Sequence, residues 1–76
     1  MKVRIEVSSS LKRYTKGKTC YELDVEQGTK AIDAIKKLGI PEEEVGIISV
    51  NGVKAEEDYI INENDKINVF PVIIGG

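Results

Sequence analysis

Residues 28–39 read GTKAIDAIKKLG, and this stretch decides the fold. Ala31, Ile32, Ile35 and Leu38 recur at the three-and-four spacing of a single helical face. Asp33 and Lys37 stand four apart in the order that favours an ion pair. Thr29 is placed to cap the first turn, Gly39 to stop the last, and Pro41 forbids continuation. This is the one convincing helix of the chain, so the remaining apolar residues must be arranged around one stripe.

On both sides of it the period changes from three-and-a-half to two. KVRIEV, from Lys2, puts Val3, Ile5 and Val7 on one face and Lys2, Arg4 and Glu6 on the other. TCYELDV repeats the pattern, with Tyr21, Leu23 and Val25 inward and Cys20, Glu22 and Asp24 outward. Such alternation predicts half-buried strands. The connection SSSLKRYTKGK is too long for a tight hairpin. Ser10 is read as the cap of a single turn that carries Leu11 and Tyr14 on one side, and Gly17 as its close. After the helix come an acidic connection, PEEEVG, and a buried strand, GIISV. Asn51-Gly52 is a strong hairpin signal, and VKA is a short return strand. Tyr59 and Ile61 are expected to plug the core, NEND to turn, and INVFPV to form the last strand with Ile67 and Val69 inward. The order predicts an α+β domain in which a mixed sheet of four to five strands grips one main helix and leaves its other face open.

The chain of 76 residues is read as one domain, 1–76, with a tail over 72–76. A chain of that size buries only about 60% of its unfolded surface and has little stability to spare. At 41% hydrophobic and 32% charged, the composition is that of a soluble globular domain. The net charge of −2 argues against a nucleic-acid partner, whose phosphates call for an excess of Lys and Arg. No apolar run has the length of a membrane span or a signal peptide, so no membrane and a cytoplasmic location are expected. Cys20 stands alone and the sequence has no His. Neither a thiol metal site nor a nucleophile–base pair can be assembled, and Cys20 reads as a small strand residue. Lys12, Arg13, Lys16 and Lys18 cluster in the first connection, as a solvated loop or a docking patch.

Two features break the pattern. On this register Ile47, Phe70 and Val72 all face outward, on the uncovered side of the sheet, where several apolar residues together suggest a docking patch. Pro71 cannot donate to a sheet ladder, so the chain is expected to peel away there. VIIGG then forms a flexible tail ending on Gly75 and Gly76, the residues least able to hold structure.

VNG at 50–52, the NEND turn, the final strand KINVFPV and the closing GG about 25 residues beyond VNG together resemble the ubiquitin-like sulfur-carrier family, over the whole chain. That family includes the small subunit of molybdopterin synthase and the sulfur carrier of the thiamine pathway. The long first connection with SSLKRY is similar to the molybdopterin branch. The single Pro71 falls between the branches, the first usually showing two prolines there and the second none.

The resemblance implies a β-grasp fold and a carrier rather than an enzyme. The carboxylate of Gly76 would be adenylated by a ubiquitin-activating-like partner enzyme using ATP, and sulfur would then replace one oxygen to give a thiocarboxylate. Gly75 supplies a slim approach, since backbone without Cβ threads a narrow channel. Phe70, Pro71, Val72, Ile73, Ile74 and Ile47 would contact the activating enzyme, the large subunit of a synthase, or another sulfur acceptor. No bound cofactor and no metal are expected, and the free chain is expected to be a monomer that joins its partners in heteromeric complexes. Two other readings stand beside this one. The first is a ubiquitin-like modifier joined through Gly76 to lysines, and the second a plain interaction module, since fold does not fix function.

Overall fold

The computed structural model describes residues 1–72. The alternating stretches pair as five strands, β1 (Lys2–Val7), β2 (Cys20–Asp24), β3 (Val45–Val50), β4 (Val53–Ala55) and β5 (Lys66–Pro71), in one sheet of order β2-β1-β5-β3-β4. β1 and β5 run parallel at the centre, with Ile5 opposite Ile67 and Val7 opposite Val69. Every other pairing is antiparallel. Asn51 (φ 54°) and Gly52 (φ 86°) form the β3–β4 hairpin, both in the left-handed conformation that a tight hairpin turn demands. A mixed five-stranded sheet with one main helix is the β-grasp expected from the sequence.

The inward residues of the three central strands are almost wholly out of water: Val3, Ile5 and Val7, Ile48 and Val50, Ile67 and Val69. They meet Ala31, Ile32, Ala34 and Ile35 of α1 (Ala31–Lys36). Leu11, Ile40 and Ile61 close the margins, and Tyr59 packs partly buried beside them. Each such aliphatic side chain contributes about 1.5–3 kcal/mol by leaving water. Among the described residues no helix is long and apolar enough to cross a membrane.

Three local expectations are corrected. The helix is shorter than residues 28–39 suggest, and Thr29 does not cap it. The Thr29 hydroxyl donates to the Glu26 carbonyl at 2.6 Å, and Lys30 precedes the first turn. The exposed amides of that turn go instead to the following loop, Ala31 to the Tyr59 carbonyl (2.8 Å) and Ile32 to that of Glu57 (3.0 Å). A tertiary carbonyl satisfies an unpaired helical amide as well as a side-chain oxygen does. Ser10 likewise sits inside a 3₁₀ turn, Ser9–Tyr14, rather than capping it. The Leu11 amide donates to the Ser8 carbonyl, and no cap bond is made by a side chain. Gly17 (φ 84°) does close that segment, its amide donating to the Lys12 carbonyl. Finally, Lys36 rather than Lys37 finds a carboxylate, that of Glu42 at 3.8 Å.

The entry of β5 is fixed by a buried carboxylate. Asp65, 5% exposed, accepts from the Asn62 amide (2.8 Å), the Asn51 side-chain amide (2.9 Å) and the Tyr59 hydroxyl (2.9 Å). Asn51 also accepts from the Lys66 amide through Oδ1 (3.0 Å) and donates its own amide to the Lys66 carbonyl. One Asn thus ties the hairpin to β5 while making the turn, which explains the VNG motif. Burial pushes the Asp65 carboxyl up, but the bonds from Asn62, Asn51 and Tyr59 outweigh it and hold the group below its ordinary 3.8. The same bond from Asp65, helped by burial, raises the Tyr59 hydroxyl above 10.0. Folding therefore favours ionised Asp65, and that stabilisation is full above the unfolded-chain value and is lost as pH falls from there through the lower folded value. Asp65→Asn is expected to lower stability at pH 7 by about 1–3 kcal/mol through the mispaired buried donors. In thermal melts the variant should also lose the part of the wild-type decline below about pH 4 that Asp65 causes.

Candidate functional site

The last strand delivers its end to one rim of the open sheet face. Ile47 and Phe70 are cross-strand partners there, 41% and 43% exposed, and Val72, the last described residue, is 41% exposed. The remainder of the open face is polar, as the alternation requires. Arg4 reaches Glu22 at 3.8 Å, Lys66 reaches Glu6 at 3.5 Å, and Ser49 lies opposite Asn68. A pair of large apolar side chains left in water at one end of an otherwise polar face has the character of a docking surface.

Pro71 does not release the chain in the way its missing donor implies. It remains in β5 opposite Val45, and the Val72 amide still donates to the Glu44 carbonyl at 3.3 Å. β5 is flanked by β1 and β3, but β1 ends at Val7, opposite Val69, so at Pro71 only β3 remains alongside. A residue with no N–H is tolerated at such a place.

Close beside it the register of β3 against β5 shifts between Val45 and Ile47. Gly46 occupies the irregularity. A Cβ at Gly46 would overlap the Pro71 carbonyl oxygen and stand 2.6 Å from its carbon and 2.8 Å from the Val72 Cα. The departing chain therefore runs directly over a bare backbone. Glu44 is itself held. Its Oε1 accepts from the Tyr14 hydroxyl at 3.0 Å and lies 3.7 Å from Arg13, whose guanidinium also bonds the Tyr14 hydroxyl.

Of the residues singled out in the sequence, the structure brings Ile47, Phe70, Pro71 and Val72 to this rim. Ile73, Ile74, Gly75 and Gly76 lie outside the described residues. Cys20 is exposed on β2. In the cationic first connection Arg13 is tied to Tyr14 and Glu44, and the Lys18 ammonium lies 4.6 Å above the Tyr21 ring. Gly46 and Glu44 join the site without having been marked by the sequence patterns. The available signal was a glycine inside a strand pattern, which marks a bulge or a close backbone approach.

A carboxylate substitution on the rim tests the docking surface apart from the fold. Ile47→Asp is expected to leave stability within about 1 kcal/mol, as for surface positions. It should weaken association with a partner that reads this face by about tenfold or more, the usual scale for a central interface residue. Thermal melting and titration against that partner separate the two effects.

No curated protein matches the chain in sequence. Among solved structures, SAMP1 from Haloferax volcanii superposes with a TM-score of 0.76 at 18% identity, covering 100% of both chains. A candidate molybdopterin converting factor subunit 1 from Pyrococcus furiosus gives 0.75 at 22% identity, over 96% of this chain and 99% of that one. Urm1 from Trypanosoma brucei gives 0.72 at 18% identity, over 99% and 95%. At these identities the likeness establishes the shared fold. The family model for Mut7-C ubiquitin matches residues 3–74, the sheet, the helix and the rim together. The ubiquitin-like resemblance is thus borne out, and the chain belongs to the Mut7-C ubiquitin family.

Proposed function

We propose that the protein is a sulfur carrier whose Gly76 carboxylate is activated and converted to a thiocarboxylate. The observation that carries this reading is the position of the rim. β3 contributes Ile47 and the end of β5 contributes Phe70 to one exposed rim, with Val72 exposed directly after, immediately ahead of the segment that carries Gly75-Gly76. A partner that docks on the patch is placed to take the segment that follows.

The chemistry needs activation because a carboxylate is a poor electrophile. An oxygen of Gly76 attacks the α-phosphorus of ATP on the partner enzyme and pyrophosphate leaves. A sulfide-level donor then attacks the carbonyl carbon of the acyl adenylate, AMP departs, and the sulfur keeps the negative charge once its proton is lost. The carrier contributes no catalytic group to these steps. It supplies a rigid body to dock and a substituent-free end to react. The acceptor on this reading is a precursor of a pterin-type or thiazole-type cofactor, handled by a synthase subunit.

A second reading shares the activation and differs in the acceptor: attachment through Gly76 to protein lysines. It is favoured by the fold shared with small archaeal modifier protein 1 of Haloferax volcanii. Intact mass of the protein purified from its own host distinguishes the two. A species heavier by one sulfur-for-oxygen exchange supports the carrier, and chains joined to lysines support the modifier. Unmodified protein throughout would overturn both and favour an interaction module. The same spectrum shows whether Gly76 bears the free carboxylate that either chemistry needs.

A further inference from the structure

We infer that Gly46 and the Glu44 carbonyl form a seat that sets the direction in which the C-terminal segment leaves the domain, and that Gly46 is a positioning residue for reaction at Gly76. The inference rests on the carrier reading for its second half, and on geometry for its first.

Glycine inside a strand costs about 0.5–1 kcal/mol relative to alanine, so its presence at position 46 needs a reason. The backbone conformation does not supply one. Gly17, Gly28, Gly39 and Gly52 have positive φ, and Gly46 does not. What excludes a side chain is the overlying chain, because a Cβ would meet Pro71 and Val72 backbone atoms that have no freedom to rotate aside. The seat is built on two sides. Beneath, Gly46 lets the Pro71–Val72 peptide lie against β3. Beside it, the Glu44 carbonyl takes the Val72 amide, and Glu44 is anchored through its side chain to Tyr14 and Arg13 of the first connection.

The consequence is a short reach. On the carrier reading the reacting carboxylate is that of Gly76, four residues beyond Val72, and four residues span at most roughly 14 Å. A partner must therefore hold the Ile47–Phe70 patch and the reacting carboxylate within that reach of each other. Lifting the chain off Gly46 moves the point from which those four residues start relative to the patch. Displacement of a reacting group by about 1 Å can cost up to ~100-fold in rate.

The test is Gly46→Ala, read in two ways. Amide hydrogen exchange on the isotope-labelled protein reports the seat without reference to function. Protection at Val72 is expected to fall by about tenfold or more while Ile48, Val50, Ile67 and Val69 keep theirs, showing local rather than global opening. Undiminished Val72 protection in a folded variant overturns the seat. The fraction of thiocarboxylate on wild-type and variant chains expressed in their own host reports the second half, and a drop of about tenfold or more at unchanged Ile48 and Val69 protection supports it. An equal thiocarboxylate fraction despite loss of Val72 protection overturns the positioning role. Wild-type protein without any thiocarboxylate would sink the carrier reading and with it the positioning role, while the exchange result still decides the seat. Tyr14→Phe, which removes the hydroxyl donated to Glu44 and leaves Gly46 untouched, should loosen Val72 in the same direction by a smaller factor. No change at Val72 in that variant would overturn the anchoring of the seat through the Tyr14 hydroxyl.

Discussion

Removal of Gly75 and Gly76 is expected to abolish the sulfur-for-oxygen species completely while leaving the domain folded. The two halves of this result have separate causes. The buried cluster draws its last member from Val69, and Phe70 is already half in water. The final pair has no side chain to add to that interior, and the thermal midpoint should move by no more than a surface change, within about 0.5 kcal/mol. On the carrier reading the reaction, by contrast, depends wholly on that pair. Loss of two residues draws the terminal carboxylate back by roughly 7 Å along the chain, and it replaces the bare approach with the branched side chains of Ile73 and Ile74. Deletion of Gly76 alone should give the same zero, because it shifts the carboxylate by about 3.5 Å. An interaction module makes the opposite forecast, with unaltered partner binding and growth after either deletion. Intact mass, a melting curve and a binding titration on the two truncated chains together separate the readings.

The second large effect belongs to the fold. Ile67→Ala is expected to remove about 2–5 kcal/mol, the range found when a buried isoleucine is truncated and its cavity cannot collapse. The site has little room to relax. Ile67 is fully buried in the central strand, opposite Ile5 on one side and Val50 on the other, with the helix above. At about 0.05–0.15 kcal/mol per residue the whole domain has roughly 4–11 kcal/mol of stability, so the variant should be marginal or unfolded at room temperature. A urea titration should show the midpoint falling with no change in slope. Ile47→Ala, an isoleucine-to-alanine change on the exposed side of the neighbouring strand, should shift the midpoint by less than a quarter as much.

The contrast between these two isoleucines also shows what the sequence can disclose. Strand alternation is a period-two signal, and a sheet with one covered face has no other place to put it. The inward set from Val3 to Val69 and the outward Ile47 and Phe70 are accordingly legible from the order of residues alone. Helix ends are less so, because the amides that Thr29 was expected to satisfy, those of Ala31 and Ile32, are satisfied by the carbonyls of Tyr59 and Glu57, far along the chain. No local pattern encodes that. Pro71 misleads for a related reason. Its missing donor ends pairing only if a ladder bond is wanted at that position, and that depends on which neighbours the strand still has. Gly46 illustrates the third kind of limit. Its need for a bare backbone comes from Pro71 and Val72, which topology alone brings over it. The candidate site is therefore half readable: the patch follows from periodicity, and the seat follows from crossing strands.

The central parallel pair has a consequence for how the molecule is made. β1 leaves the ribosome before the other strands and β5 after them, yet the two lie side by side in the middle of the sheet. Until residues 66–71 are free, β1 and β3 have no strand between them and the apolar face has no floor. Contacts of such long sequence separation form slowly and leave the nascent chain exposed while they wait. Folding of this domain is thus deferred until β5 has been synthesised and released. Phe70 reaches its place beside Ile47 only when that strand is paired, so a polypeptide still short of β5 does not yet carry the Ile47–Phe70 rim.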